Sequence, residues 1–598
     1  MYRGPIELLM CLWSHLAILR RRQLWMLMGL MLVSAFAEVM SLGAVLPFLS
    51  VLISPQQALN YPIVSYLAFA WGISSADQLI LPLAVAFAVV AFLAGVVRIL
   101  LLWASTKVAF AIGADLSCEV YRRALYQPYE VHVAKNSSEV ISDVTNKVGA
   151  AVSALYQVLS LLSSTVLLVF IMLALIAIDW RVAAVGAVSF GASYTLITRV
   201  SRQRLQRNSQ RIAYEQTQVV KALQEGLGGI RDVLLDSTQN IYCDVYSQAD
   251  KPLRRAQGSN IFIGQSPRYV METLAMVLIA VLTFALSLQA GSISKALPIL
   301  GALALGAQRL LPALQQIYSA WASILGSYAS LADIVAIIDM PLSETKMQPA
   351  SVPLPFQNAI VFNNVSFRYT ENGPSALDCL NLIIPKGSRV GFVGETGGGK
   401  STALDILMGF LIPTGGELLV DGRHITGSNL KAWQRNIAHV PQSIYLADAT
   451  IAENIAFGIP NQLIDLRRVK EAARRAQIAD FIESGPNGYQ AYVGERGMRL
   501  SGGQRQRIGI ARALYKQASV LIFDEATSAL DNTIERLVME SINDLDRNLT
   551  IISIAHRLTT VQHCDIIVEM ENGRIVCSGT YEQLLLRSPS FRRMAGEI

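Results

Sequence analysis

Six runs dominated by Leu, Val, Ala and Ile, at about 24–53, 79–103, 156–178, 182–197, 271–288 and 293–325, recur through the first 325 residues of this 598-residue chain. Several can cross a hydrocarbon layer of ~30 Å outright as helices. Lipid offers a backbone no hydrogen-bond partner, so such runs have to satisfy their own N–H and C=O groups, and a helix does that within one segment. The expected first half is therefore an α-helical membrane bundle of six spans. A composition with 52% hydrophobic and only 16% charged residues agrees with a chain that lies largely in lipid. The net charge of +6 does not point to nucleic acid, because the basic residues are spread along the first half of the chain instead of gathered in one patch interleaved with aromatics.

Those basic residues read as topology signals. The connection 54–78 has no Lys or Arg, whereas Arg199, Arg202, Arg204, Arg207 and Arg211 open a connection that stays basic up to Arg268. The basic side is expected to be cytoplasmic, together with the N-terminus. Residues 5–19, closed by Arg20, Arg21 and Arg22, suit either a short helix at the membrane surface or the buried start of the first span. The connections 104–155 and 198–269 keep apolar residues at helical spacing among their charges, so they are expected to be helical arms continuing out of the membrane, turning near 129–138 and 235–242. Cys11, Cys118, Cys243, Cys379, Cys564 and Cys577 show no C-x-x-C spacing and no disulfide framework is expected.

Pro341, Pro349, Pro353 and Pro355 break the helical pattern, which sets expected boundaries of 1–338 for the membrane domain, 339–356 for a linker and 357–598 for an α/β domain. In that domain Gly394-Glu395-Thr396-Gly397-Gly398-Gly399-Lys400-Ser401 follows an apolar run and precedes Thr402 and a helical pattern. Every fixed position of the phosphate loop is filled, in the strand-to-helix context it requires. Its glycines let backbone N–H groups curl around phosphates, Lys400 reaches the outer phosphates, and the Ser401 hydroxyl suits Mg2+. The buried run 520–523 ends in Asp524, a candidate Mg2+ ligand, and Glu525, a candidate base for the attacking water. Gln442 suits contact with Mg2+ or that water, His556 suits contact with a γ-phosphate, and the Tyr369 ring suits stacking on adenine.

Leu500-Ser501-Gly502-Gly503-Gln504, opening an apolar helix, completes the pattern together with Ser528-Ala529-Leu530-Asp531. With the phosphate loop, Asp524, Glu525 and His556 it closely resembles the ATP-binding cassette of ABC transporters, and the spans ahead of it resemble an exporter-type half-transporter. The resemblance covers essentially the whole chain. It implies ATP as substrate, Mg2+ as cofactor, and a head-to-tail cassette pair in which Ser501 and Gly503 of one copy reach the phosphate held by Lys400 of the other. Since both half-sites are intact here, a homodimer is expected.

Glu38, Ser41 and Gly43 ahead of Leu46-Pro47-Phe48-Leu49, and Gln265-Ser266-Pro267-Arg268-Tyr269 with Glu272, are similar to patterns in PglK-type flippases of lipid-linked oligosaccharides. This resemblance implies such a cargo, or a related glycolipid, and a bacterial inner membrane; another amphipathic cargo (a lipid, peptide or drug) is the alternative. Arg98 and Arg309, in the second and sixth apolar runs, are candidates for facing an anionic cargo, against the plainer readings of an interfacial Arg98 and an Arg309 paired inside the bundle.

Overall fold

The computed structural model describes residues 4–53, 80–178, 180–289, 293–340, 352–370, 373–524, 532–543, 548–555 and 561–595. The chain divides into two units, one formed by Met1–Gln127 and His132–Pro341, the other by Pro128–Val131 and Leu342–Ile598.

The first unit is helical. All six apolar runs lie on helices: Ile18–Ile53, Ile80–Leu125, Val148–Ile178, Trp180–Gly228, Pro267–Gln289 and Ile293–Gly326. The second and fourth of these have 46 and 49 residues. At 1.5 Å per residue they reach about 70 Å, more than twice the hydrocarbon thickness, so each continues as helix well past its apolar run. Gln239–Gln265 is a further long helix, and the turn before it carries Ser237 at φ 54°. Among the described residues, three segments are long and apolar enough to cross a membrane: Ile18–Ser41, Ala84–Leu125 and Ser137–Ile176. Leu310–Gly326 and Tyr328–Asp339, bent by 57° at their junction, qualify as a fourth if they form one span.

Small residues let these helices approach. A Cβ on Gly113 would sit 2.5 Å from Val152 Cγ2, so the Val152 side chain packs directly against the helix backbone at Gly113. Leu24, Leu27, Met31, Leu101, Ile112 and Leu159 form one buried cluster, and Leu205, Ile263, Tyr318, Ala322 and Leu325 another. The Pro5–His15 helix is separate from the first span, and its Leu8 and Leu12 pack with Leu331, Ile334 and Ile338. Of the two readings of that stretch, the structure therefore favours a distinct helix over a buried start of the span.

Among the described residues the second unit holds ten strands: β1 (Ala359–Phe367), β2 (Leu377–Pro385), β3 (Arg389–Val393), β4 (Gly415–Val420), β5 (Arg423–His424), β6 (Ile437–Val440), β7 (Val520–Asp524), β8 (Thr550–Ile554), β9 (Ile566–Glu571) and β10 (Arg574–Gly579). An antiparallel sheet has the order β2-β1-β4-β5, and a six-stranded sheet the order β10-β9-β3-β8-β7-β6. In the second sheet β9, β3, β8, β7 and β6 are parallel and β10 closes the edge antiparallel. Near-continuous apolar runs such as β3, β7 and β8 suit a parallel sheet covered on both faces, and Val390, Phe392, Ile522 and Ile552 are fully buried. Residues 341–351 of the expected linker lie outside the described residues. Leu354 and Phe356, which follow, are already buried in the core of this unit. Tyr129, on the short segment that groups with this unit, stacks on Phe410 with ring centroids 4.9 Å apart.

Candidate nucleotide site

Parallel strands present their carboxyl ends, and the loops there, along one edge of the sheet. β3 and β7 flank β8, so Val393 and Asp524 end strands about 10 Å apart, a spacing set by two inter-strand steps. The loop 394–399 leaves β3 and enters the Lys400–Leu407 helix with Gly399 as its N-cap. Gly394 and Gly399 hold φ of 132° and 96°. A Cβ would lie 2.1 Å from Met570 O at the first and 2.7 Å from Ala376 O at the second, so only glycine closes this loop against its neighbours.

Lys400 is buried, and its ammonium donates to the carbonyls of Gly394 and Glu395, each at 2.7 Å. The charge is thus held over the loop that Glu395, Thr396, Gly397 and Gly398 complete. Ser401 is exposed in the first helical turn, while Thr402 is buried and within 3.1 Å of the Tyr369 hydroxyl. The Tyr369 ring meets Phe367 edge to face at 5.0 Å and remains exposed, as stacking on a base requires.

Asp405, one turn beyond Ser401, was not singled out from the sequence. Burial, and then the negative charge of Asp524, push its carboxyl up to about 6. Two carboxylates therefore face a shared region of surplus negative charge next to the loop. The signal available in the sequence was the spacing Ser401 to Asp405, i to i+4 on one helix face.

Ser501 is the N-cap of the Gly502–Tyr515 helix, in a reciprocal box: Gln504 N donates to Ser501 Oγ at 3.2 Å and Ser501 N donates to Gln504 Oε1 at 2.8 Å. Ser501 and Gly502 are exposed and Gly503 is partly so. This opens a helix N-terminus, with its partial positive charge, to an incoming anion. Arg512 in the same helix donates to Asn454 O and Tyr445 O at 2.9 Å each and lies over the Phe457 ring. That ties the helix to the segment carrying Gln442, which is itself exposed. Glu525, His556 and the stretch Ser528 to Asp531 lie outside the described residues.

In the helical unit, Arg98 pairs with Glu38, a buried carboxylate on the neighbouring Ile18–Ile53 helix. Arg268 pairs with Glu272 at 2.7 Å, one turn along its helix. Arg309 belongs to the Ile293–Gly326 helix, and its side chain lies outside the described residues.

Residues 377–528 match the family described as ABC transporter. An ATP-dependent lipid A-core flippase of Paraburkholderia xenovorans is 32% identical over 478 residues, covering 79% of this chain and 79% of the relative. The chain belongs to the ABC transporter family. A second relative, the ATP-dependent lipid A-core flippase of Albidiferax ferrireducens, is 31% identical over 491 residues, 81% of this chain and 83% of its own. Among solved structures, a bacterial Atm1-family ABC exporter with ATP bound superposes with a TM-score of 0.80 at 24% identity, covering 96% of this chain and 98% of that one. The ABC transporter described here is an exporter-type half-transporter, a helical membrane region joined to an ATPase domain whose ATP hydrolysis is coupled to transport.

Proposed function

We propose that this ABC transporter is a homodimeric flippase that moves a lipid-linked oligosaccharide or related glycolipid across the bacterial inner membrane. The observation that carries the reading is the similarity, over four fifths of the chain, to transporters named for flipping lipid A-core. The pattern Gln265 to Tyr269 and Glu272, resembling flippases of lipid-linked saccharides, narrows the cargo. The relatives' own names favour a second cargo, lipid A-core itself.

The cassette residues divide the work. Loop N–H groups between Gly394 and Gly399 cradle phosphate oxygens, and the Lys400 ammonium exchanges two backbone carbonyls for the outer phosphates. Tyr369 stacks on the base. The oxygen donors Ser401, Asp524 and Gln442 suit a hard dication, and the charge concentrated at Asp405 and Asp524 fits one, so these three would hold Mg2+. Mg2+ supplies neutralisation of the charge that develops on the transferred phosphoryl group. Glu525 orients and deprotonates the attacking water, His556 holds the γ-phosphate, and Ser501 with Gly502, Gly503 and Gln504 of a second copy closes over it. Contacts made only in the closed pair favour that state until hydrolysis removes them. The helical arms then carry the change to the spans.

The test is ATP turnover in proteoliposomes with polyprenyl-pyrophosphate oligosaccharide, lipid A-core, a peptide or a cationic drug, using Glu525→Gln as the blank. Stimulation by the oligosaccharide alone supports the first reading, and stimulation by lipid A-core alone supports the second. Response only to the peptide or the drug removes both.

A further inference from the structure

Outside the cassette, the carboxyl ends of two helices bring together a thiol, an imidazole and a carboxylate. Cys11 and His15 are one turn apart on the Pro5–His15 helix, and Asp339 ends the Tyr328–Asp339 helix. Cys11 Sγ lies 3.2 and 3.4 Å from the two Asp339 oxygens, and His15 Nε2 lies 3.0 Å from Oδ1. The three ligand atoms all lie within 4.8 Å of one another. A tetrahedral zinc ion with bonds of about 2.3 Å to sulfur and 2.0–2.1 Å to nitrogen or oxygen has ligand-to-ligand edges of roughly 3.3–3.6 Å, so little movement is needed to admit one.

The arrangement is built, not fortuitous. Leu8 and Leu12 are buried among Leu331, Ile334 and Ile338, which fixes the rotation of the first helix and sets Cys11 and His15, each three residues further on, at the rim beside Asp339. Backbone carbonyls at the two helix ends are already engaged: Arg123 donates to Ile338 O and Met340 O, and Arg21 donates to Ser14 O at 2.6 Å. The Ser14 hydroxyl donates to Cys11 O at 2.6 Å. With guanidinium groups this close, net negative charge alone does not select the ion, and the sulfur and nitrogen donors do. His15 and Asp339 are exposed, which leaves a path for entry and a fourth position for water.

We propose that Cys11, His15 and Asp339 form a zinc site. Thiolate and carboxylate balance the charge of Zn2+, neutral imidazole completes three protein ligands, and hard ions such as Mg2+ and Ca2+ are disfavoured by the sulfur. The bound ion joins residues 328 positions apart in sequence, clamping the N-terminal helix onto the end of the helix that leads towards the cassette.

The experiment titrates the reduced, detergent-solubilised full-length protein with Co2+ as a spectroscopic probe and displaces it with Zn2+. Tetrahedral cobalt with a thiolate ligand gives a sulfur-to-metal charge-transfer absorption. One Zn2+-displaceable equivalent per chain is expected. Cys11→Ser should lose the charge-transfer band although the other five cysteines remain, and His15→Ala or Asp339→Asn should weaken binding at least about tenfold. Zn2+ should raise the melting temperature of the wild type but not that of His15→Ala. The site is overturned if Cys11→Ser keeps the band, or if His15→Ala, melting like the wild type without metal, binds the probe as tightly.

Discussion

The apolar runs of the two units are covered differently. In the cassette, Val390, Phe392, Ile522 and Ile552 are completely shielded, whereas on the Ile80–Leu125 helix Phe92 and Ile99 are 71% and 68% exposed. Water forbids an aliphatic surface on that scale, and lipid does not. The contrast extends to the polar residues. In the cassette they sit at strand ends and helix starts, where a loop of fixed length dictates what each side chain meets. In the bundle some pair one turn along their own helix, as Arg268 does with Glu272, and others, such as Arg98 with Glu38, meet a neighbouring helix far away in sequence. Function is therefore concentrated in one unit and distributed in the other.

The largest effect expected from that difference is at Lys400. Replacing it with Ala removes a charge held by two loop carbonyls, and ATP turnover should fall by about 10²–10³-fold, or ~3–4 kcal/mol of transition-state stabilisation. Steady-state ATPase assays, with melting temperature as a folding control, check it. A fall of less than about threefold would mean that the loop alone binds and orients the phosphates.

This difference also governs how much could be read in advance. The loop at 394–399, the strand end at Asp524 and the helix start at Ser501 were legible as local structure because each depends on local spacing, and the structure has a helix N-cap, a strand end and a capping box at those positions. The helical character of the connections was legible from periodicity, although the exact crossing segments are not, since helices of 46 and 49 residues run on past their apolar stretches without a break. Asp405 escaped notice because its importance arises from Asp524, which lies across two strands of the sheet. The Cys11, His15 and Asp339 cluster escaped because a search for C-x-x-C is blind to Cys and His one helical turn apart with a third ligand at the end of another helix. Arg98 was recognisable as an unusual charge in an apolar run, but nothing local reveals its pairing with Glu38.

A smaller effect separates the cassette core from its site. His439 in β6 is pushed down to about 4 by burial, from an ordinary value of 6.5, and its Nε2 has no hydrogen-bond partner among the described residues. The unfolded chain thus binds a proton that the folded chain refuses, so stability falls as pH drops from 6.5 towards 4 and is unaffected by this group above that window. The loss should approach about 3 kcal/mol at the acid end. Thermal melts of wild type and His439→Gln between pH 4 and 7 isolate it from the titrating carboxylates. Parallel pH profiles for the two proteins would show that the imidazole is hydrated and that the shielding of this strand is incomplete.

The smallest effect tests the bundle. Glu38 is buried and Arg98 is more than half exposed, so the pair is neither a surface ion pair nor a fully desolvated one, and removing the arginine should cost about 1–2 kcal/mol. Most of that cost comes from leaving the carboxylate alone, so Arg98→Ala with Glu38→Gln should melt closer to the wild type than Arg98→Ala does. A purely positioning role for the arginine predicts that cargo-stimulated ATPase recovers with the melting temperature in the double variant. If Arg98 instead meets an anionic headgroup, stimulation is lost in Arg98→Ala and stays lost in the double variant, while Glu38→Gln alone retains it. The second pattern would show that one residue in the distributed unit acts on cargo as directly as Lys400 is proposed to act on phosphate, and the comparison between the two units would then differ in legibility only.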